Sequence, residues 1–144
     1  MKGFNYYQDT ANEWRWRLND GNGKIVADSG EGYKDRKDCE KGAALFTTLG
    51  PSAPEHKVSE SANSGHGPEW EYYEDRKSEW RWRFQAKNNQ ILADGSEGYD
   101  SEQNVKRAIQ NVKALLLEIG KPNNGNGGYQ PPVSGGSGGG GRFA

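Results

Sequence analysis

Cysteine is nearly absent from this chain of 144 residues, in which Cys39 is the single copy. One cysteine excludes a disulfide framework within the chain and a zinc site built from several thiolates. Long apolar runs are also missing, since none approaches the ~20 residues of a membrane-spanning helix. The first residues enter a patterned segment directly and lack the apolar region of a signal peptide. We therefore expect a cytoplasmic protein, in a reducing setting, that does not associate with membranes.

A surplus of positive charge is missing as well. Lys and Arg together number 19 and Asp and Glu number 20, so the formal net charge is -1. This balance argues against a generally basic surface that binds nucleic acid, although it does not exclude a local basic patch. Hydrophobic residues make up only 31%, but five Trp, seven Tyr and four Phe are among them. A few large side chains therefore carry the apolar surface, and each can bury ~150–250 Å².

The chain contains an internal duplication. The segment EWRWR at residues 13–17 returns at residues 79–83, and the same offset relates IVAD at 25–28 to ILAD at 91–94. It also relates EGY at 31–33 to EGY at 97–99. Two copies are too few for a solenoid, which generally needs three or more. The duplication predicts a pair with pseudo-two-fold symmetry, the single-chain counterpart of an isologous dimer.

Each copy begins with the period-two alternation of strands. Three runs in the first copy alternate, and their inward residues are Phe4 and Tyr6, then Trp14, Trp16 and Leu18, then Ile25 and Ala27. Residues 9–12 and 20–23 are expected to be hairpin turns, because Asn, Asp and Gly tolerate the backbone conformations of tight turns. A turn then leads to the helix, with positive φ expected at Gly32 and Gly98. An anion site at this turn is the alternative, which its central glutamate disfavours.

A helix follows the strands in each copy. Asp35 and Ser101 are the predicted N-caps. The predicted buried faces are Cys39, Gly42, Ala43, Phe46 and Leu49 in the first copy, and Val105, Ala108, Ile109, Val112, Leu116 and Ile119 in the second. Small residues at Gly42 and Ala108 are expected to let the helices approach a sheet lined by Trp side chains.

The domain organisation follows from these patterns. Residues 1–58 form repeat one, which ends in a short edge strand at 54–58, and residues 59–69 form a linker. Residues 70–122 form repeat two. Residues 123–144 are rich in Gly, Asn, Pro and Ser and are expected to be a disordered tail.

A combination of motifs runs along the chain: Tyr-x-Asp, then Glu-Trp-Arg-Trp-Arg-Leu, then Asn-Gly-x-Ile-x-Ala, then Glu-Gly-Tyr and a helix. This combination resembles the YegP-like family, a bacterial and archaeal domain of unknown function. The resemblance covers roughly residues 4–58 and 70–120. It implies an α+β fold with two β(3)-α(-β) motifs in one antiparallel sheet, backed by two helices on one face. It also implies that the motifs exchange their last strands. Residues 54–58 match the first exchanged strand, whereas residues 121–125 have poor strand character.

The side of the sheet away from the helices is the candidate binding face. If Trp14 and Trp16 point toward the helix, the alternating residues must point away from it. The residues of the predicted face are Tyr7, Arg15, Arg17, Tyr73, Arg81 and Arg83, with Glu13, Asp28, Glu79 and Asp94 beside them. A lattice of arginine–carboxylate pairs is the favoured interpretation. Binding of an anion or of single-stranded nucleic acid through Arg and Tyr is the alternative.

No catalytic, metal-binding or cofactor-binding set of residues stands out in the sequence. His56 and His66 lie in or near the linker without repeat equivalents, and Cys39 occupies a position where repeat two has Val105. We therefore predict a non-catalytic binding or interaction module, not an enzyme, for an unidentified ligand or protein partner. The predicted assembly is a monomer with an internal pseudo-dimer.

Overall fold

Strands from both copies form one seven-stranded sheet, and two helices cover one of its sides. The computed structural model describes residues 2–61 and 67–121. The strands are β1 (Gly3–Gln8), β2 (Trp14–Asn19), β3 (Ile25–Ser29), β4 (Glu55–Lys57), β5 (Glu69–Glu74), β6 (Trp80–Gln85) and β7 (Ile91–Asp94). The helices are α1 (Arg36–Leu49) and α2 (Glu102–Gly120), and a 3-10 turn at Gly50–Ser52 follows α1. The predicted α+β class is confirmed.

The order of strands in the sheet is β1-β2-β3-β7-β6-β5-β4. The copies meet at the centre, where Asp28 of β3 pairs with Asp94 of β7 and Ser29 pairs with Ala93. Asp28 and Asp94 occupy the same position in the two copies, so the pseudo-two-fold axis passes between them. The two copies therefore fold as one unit around a shared sheet.

One strand pair departs from the expected all-antiparallel sheet. Strand β4 of the first copy lies beside β5 of the second copy, and this pair is parallel. Parallel neighbours cannot be joined by a tight hairpin, and the longer segment 58–68 allows the chain to return to the same end of the sheet. Among residues 2–61 and 67–121, no strand lies outside β1. The predicted tail and residues 62–66 of the predicted linker lie outside the described residues.

Aromatic side chains between the sheet and the helices form the core. Trp16 and Trp82 are 0% and 1% exposed, as the alternation predicted, whereas Trp14 and Trp80 are half-buried. Phe46 of α1 is the ring around which the others pack. Its centroid lies 5.2–6.4 Å from the ring centroids of Trp16, Trp70, Trp82 and Phe84. Rings from both copies thus share one cluster.

The two outer strands bury their aromatic residues to different extents. Trp70 of β5 is fully buried and its indole Nε1 donates a hydrogen bond to the Gly50 carbonyl at 2.9 Å. Its equivalent Phe4 of β1 is only partly buried. Strand β4 covers the edge of β5, whereas β1 is at the edge of the described sheet. The second copy therefore contributes more of the core.

Near the pseudo-two-fold axis, a small residue at the end of α1 packs against a large residue of α2. A Cβ atom added to Gly50 would lie 2.6 Å from Leu116 Cδ1, which is closer than packed carbon atoms approach. Gly50 and Leu116 are equivalent positions in the two copies. Volume is conserved at this contact because one copy supplies the side chain and the other the space for it.

The helix starts agree with the sequence only in part. The Ser101 hydroxyl accepts a hydrogen bond from the Asn104 N–H at 3.1 Å, as a capping serine should. Asp35 occupies the N-cap position of α1, but its side chain makes no capping hydrogen bond.

A β-bulge changes the inward face of the third strand in each copy. Leu18 pairs with Ala27 but Asn19 pairs with Ile25, which leaves Val26 as the extra residue. Val26 packs against the core, and its equivalent Leu92 is buried within it. The alternation had assigned Ile25 to the core. This assignment is wrong because a bulge inserts one residue into the strand, and strict alternation then assigns the residues before it to the opposite side of the sheet.

The glycines act through close contacts. Gly32 and Gly98 are not among the residues with positive φ, so that prediction is wrong. An added Cβ atom would lie 2.8 Å from Glu13 Cβ at Gly32 and 2.9 Å from Glu79 Cβ at Gly98. A side chain at Gly42 would meet the Tyr33 hydroxyl, not a Trp ring as the sequence suggested. No helix among the described residues is long and apolar enough to span a membrane.

Candidate functional site

The side of the sheet opposite the helices is lined by charged and polar side chains. We call it the open face, and its residues are Tyr7, Arg15, Arg17, Asp28, Glu71, Tyr73, Arg81, Arg83 and Asp94. Strand register aligns Arg17, Asp28, Asp94 and Arg83 in one row across the sheet. All six residues predicted for the candidate face are brought to this side of the sheet.

Two stacked pairs frame the open face. The Arg17 guanidinium carbon lies 4.3 Å from the centroid of the Tyr7 ring, and that of Arg83 lies 4.8 Å from the Tyr73 ring centroid. These distances are typical of cation–π contacts. Burial raises the pKa of the Tyr73 hydroxyl, so this tyrosine stays neutral in the physiological range. The two stacks are equivalent in the two copies. Their arginines, Arg17 and Arg83, are the two ends of the row that crosses the sheet.

Two arginines of the open face are held by turn aspartates. Arg15 Nε lies 2.7 Å from Asp9 Oδ2, and Arg81 Nε lies 2.7 Å from Asp75 Oδ2. The hydrogen bond from the arginine lowers the pKa of each aspartate and raises that of its arginine partner. Each aspartate also accepts backbone N–H groups of its own hairpin turn. The turns thus position these guanidinium groups.

The other two arginines also face carboxylates. Arg83 Nε lies 2.8 Å from an oxygen of Glu71, which is fully buried, and Arg17 Nε lies 3.9 Å from Asp28 Oδ1. Every arginine of the predicted face therefore has a carboxylate within ion-pair distance. The arginines are thus paired with carboxylates, but only Arg17 and Arg83 pair across strands as the predicted lattice requires, whereas Arg15 and Arg81 pair with aspartates of their own hairpin turns.

A pair of aspartates lies at the centre of the open face. Asp28 and Asp94 are directly opposite each other on adjacent strands, where like charges destabilise a sheet. Burial, and then the neighbouring Asp28 carboxylate, raise the pKa of Asp94 to about 6. Burial also raises the pKa of Asp28, although Arg17 and Arg15 oppose this shift. Among the described residues, no cation lies within ion-pair distance of Asp94.

The sequence placed Asp28 and Asp94 on this face only as partners for arginine and did not identify them as a facing pair. The signal that could have found them is the repeat itself. On two antiparallel strands related by a pseudo-two-fold axis, the residue at the axis faces its own equivalent, so β3 and β7 as central strands would have predicted one such pair.

The central pair makes stability depend on pH. The raised pKa means that the folded chain binds the Asp94 proton more tightly than the unfolded chain does. This contribution is fully present below about pH 4 and is lost as the pH rises through about 6. We expect Asp94→Asn to raise the free energy of unfolding at pH 7 by about 1–3 kcal/mol and to leave it nearly unchanged at pH ~3.5. Urea denaturation at both pH values measures this difference.

Asp75→Asn is the matched control, because the pKa of Asp75 is lowered by Arg81. Its folded-state stabilisation is present above the ordinary aspartate pKa and is lost as the pH falls. The control should therefore lose stability at pH 7 and converge with the wild type in acid. Asp94→Asn behaving like Asp75→Asn would contradict the burial and repulsion assigned to the central pair.

The remaining candidate residues lie apart from the open face. Cys39 is buried on the inner side of α1, and burial raises the pKa of its thiol to about 11, so it is a poor nucleophile at neutral pH. His56 is on β4, 3.7 Å from the buried Glu69 carboxylate, whereas the sequence had assigned it no partner. His66 lies outside the described residues. Within residues 2–61 and 67–121, no group of His, Cys, Asp and Glu could hold a metal ion.

Comparisons of sequence connect the chain to proteins of unknown function. Residues 9–55 and 75–116 match the family described as "Domain of unknown function (DUF1508)". The UPF0339 protein in the ptx operon 5' region of Stutzerimonas stutzeri is 30% identical over 122 residues, which covers 81% of this chain and 96% of that protein. A UPF0339 protein of Neisseria meningitidis serogroup B is 47% identical over 45 residues, or 31% of this chain and 79% of that protein.

Comparisons of structure give the same fold. The protein of unknown function yegP from E. coli superposes with a TM-score of 0.62 at 21% identity, over 96% of this chain and 95% of that one. A UPF0339 protein from Shewanella oneidensis gives 0.59 at 18% identity, over 78% and 81% of the two chains. None of these relatives indicates a catalytic role. The resemblance to YegP-like proteins is confirmed, and the chain belongs to the DUF1508 family of unknown function.

Proposed function

We propose that this chain is a non-catalytic interaction module that binds a basic segment of a protein partner through the open face. The observation that carries the proposal is the central pair of aspartates, Asp28 and Asp94. The four arginines of the open face are paired with Asp9, Asp75, Glu71 and Asp28, which leaves Asp94 as a carboxylate in excess. A lysine or arginine side chain of a partner would relieve the repulsion between the two aspartates.

The surroundings of the pair support a protein partner. Tyr and Arg are the residue types that most often dominate protein interfaces, and here both stacks hold them in fixed positions. Seven strands at ~4.8 Å spacing and ~3.3 Å per residue cover several hundred Å², but Glu69 and Glu71 on this side of β5 are buried, so part of that area is not accessible. The accessible part is smaller than the ~800 Å² that each partner contributes to a standard interface. The open face is therefore better matched to an extended segment than to a whole folded partner.

The same charges disfavour the nucleic-acid alternative. A phosphate-binding groove needs cations that are available to replace counterions. The four arginines of the open face already contact carboxylates, and the surplus at the centre is negative. A phosphate backbone laid along this face would be repelled by Asp94. The open face is matched to a cationic partner, not to a polyanion.

The non-catalytic part of the proposal rests on the separation of reactive groups. Cys39 lies on the buried side of α1, His56 lies on the edge strand β4, and the central aspartates lie between arginines on the open face. A general base needs a hydrogen-bonded orienting partner and a position for the reacting atom. No such arrangement surrounds Asp28 and Asp94 among the described residues. The free, buried Cys39 is consistent with the cytoplasmic location that we also propose.

Calorimetric titration with a pentalysine peptide tests the proposal. We expect saturable binding at pH 7.5 that weakens as Asp94 takes up its proton below pH about 6. The double variant Asp28→Asn/Asp94→Asn should reduce affinity by about tenfold or more, since both carboxylates that face the cation are removed. A pentaglutamate peptide should not bind.

Asp38→Asn is the matched control, because it removes one carboxylate from the exposed first turn of α1, on the other side of the sheet. Its affinity for pentalysine should stay within about twofold of the wild type. The proposal is overturned if the control and the double variant lose affinity equally. It is also overturned if single-stranded oligonucleotides bind and Arg15→Ala/Arg81→Ala abolishes that binding.

A further inference from the structure

We propose a second ligand site, independent of the open face, for a small molecule with an apolar body and a single carboxylate. The site is a groove of about 480 Å³ between helix α2 and the hairpin that joins β2 to β3. We call it the α2 groove. Ligand-binding clefts in proteins generally range from about 300 to 1,000 Å³, so its size suits a compact organic molecule.

The floor of the α2 groove is apolar. Val26 of the bulged strand β3 faces Ala108, Val112 and Leu115 of α2, and the Tyr99 ring closes one side. Val26 reaches this position because the β-bulge turns it toward the helix side of the sheet. Ala108 keeps the groove open because it extends only a methyl group. An aliphatic or aromatic body would replace water on this floor and gain burial energy.

The cations on the rim are ion-paired, with one exception. Lys24 lies 2.9 Å from Glu97, and Glu118 lies 2.5 Å from Lys2. The Asp20 carboxylate accepts the backbone N–H groups of Asn22 and Lys24 and so closes the hairpin turn. The two ion pairs are neutral, and Asp20 adds one negative charge to the rim.

The exception is Arg107. It donates a hydrogen bond to Asn104 Oδ1 at 3.3 Å, and no carboxylate of the described residues lies within ion-pair distance of it. Asn111 lines the same rim and supplies an amide donor. An exposed guanidinium with an amide beside an apolar floor complements a carboxylate with an apolar body. This combination determines the ligand class.

The equivalent groove in the other copy differs in the kind of cation and in its position. That groove measures about 440 Å³ and is lined by the apolar residues Leu45, Leu49, Pro68 and Ala86 and by the polar residues Lys87, Asn88 and Gln90. Leu45 occupies the position of Asn111, and Lys41, the equivalent of Arg107, does not line it. Both grooves thus combine an apolar floor with a cation and amides, but the α2 groove has a guanidinium on its helix where the other has an ammonium on a turn.

Titration of the protein with 4-phenylbutyrate, followed by two-dimensional NMR of backbone amides, tests the site. We expect saturable shifts that concentrate on the β2–β3 turn and α2. The uncharged analogue 4-phenylbutanamide should bind about tenfold more weakly, because it cannot form the charge-assisted hydrogen bonds to Arg107. Arg107→Gln should reduce the affinity for the carboxylate by a similar factor and leave that for the amide unchanged.

Three further variants separate the site from the rest of the molecule. Lys41→Gln removes the equivalent charge on α1 and should leave affinity unchanged, whereas Ala108→Phe should fill the α2 groove and abolish binding. Asp28→Asn/Asp94→Asn should also leave affinity unchanged, since the open face is on the other side of the sheet. Equal affinity for the acid and the amide, no saturable shifts, or no effect of Arg107→Gln would each overturn the proposal.

Discussion

Phe46→Ala should lower the free energy of unfolding by about 3–5 kcal/mol, which is a large share of the stability of a small domain. The Phe46 ring is fully buried and packs against Trp16 of the first copy and against Trp70, Trp82 and Phe84 of the second. Its removal would leave a cavity bounded by rigid rings, which cannot collapse around the lost volume. The melting temperature should fall by roughly 10–20 °C.

Val112→Ala provides the matched comparison, since Val112 is the equivalent residue of α2 and is also buried. It deletes less volume, and we expect a loss of about 1–2 kcal/mol. Urea denaturation followed by far-UV circular dichroism measures both variants. If Phe46→Ala costs no more than Val112→Ala, the ring cluster is not the centre of the core.

Trp82→Ala should produce a loss of similar size, about 3–5 kcal/mol. The Trp82 indole is 1% exposed and its centroid lies 5.1 Å from that of Trp70 and 6.4 Å from that of Phe46. Its Nε1 has no hydrogen-bond partner in the described part of the chain. An unsatisfied buried donor costs ~1–3 kcal/mol, so the packing of the ring must outweigh that cost in the folded protein.

Trp80→Ala tests the same residue type two positions earlier on the same strand. Trp80 is half-buried and contacts the Tyr72 ring at 6.5 Å and the Lys57 ammonium at 5.4 Å. We expect a loss of only about 1–2 kcal/mol, because less apolar surface leaves the core. Equal losses for the two variants would show that depth in the core does not distinguish these tryptophans.

Much of the architecture could be predicted because the signals are local. The alternation of Trp14 and Trp16 with Arg15 and Arg17 identifies the inward and outward sides of β2 from periodicity alone. The Ser101 cap is likewise predicted from adjacent residues. The bulge at Val26 and the parallel pairing of β4 with β5 could not be found this way, because both depend on which strand lies alongside.

The site was predicted less completely than the fold. All six predicted residues lie on the open face, because the alternation of side chains along each strand is sufficient to assign them to that side of the sheet. What alternation does not supply is the partner of each charge across strands. The contact of Arg83 with the buried Glu71 and the facing of Asp28 and Asp94 require the register between strands. The α2 groove needs two distant segments to meet, and the spacing of residues within one helix contains no information about it.

The Gly50–Leu116 contact has a consequence for the history of such a chain. Two first halves joined across the same axis would place glycine against glycine and leave a void. Two second halves would force leucine into leucine. Neither half, cut from the other, could therefore reassemble as a well-packed homodimer. The divergence of these two positions makes each half depend on the other for its packing, and equivalent surface positions of the halves differ, as Arg107 and Lys41 do.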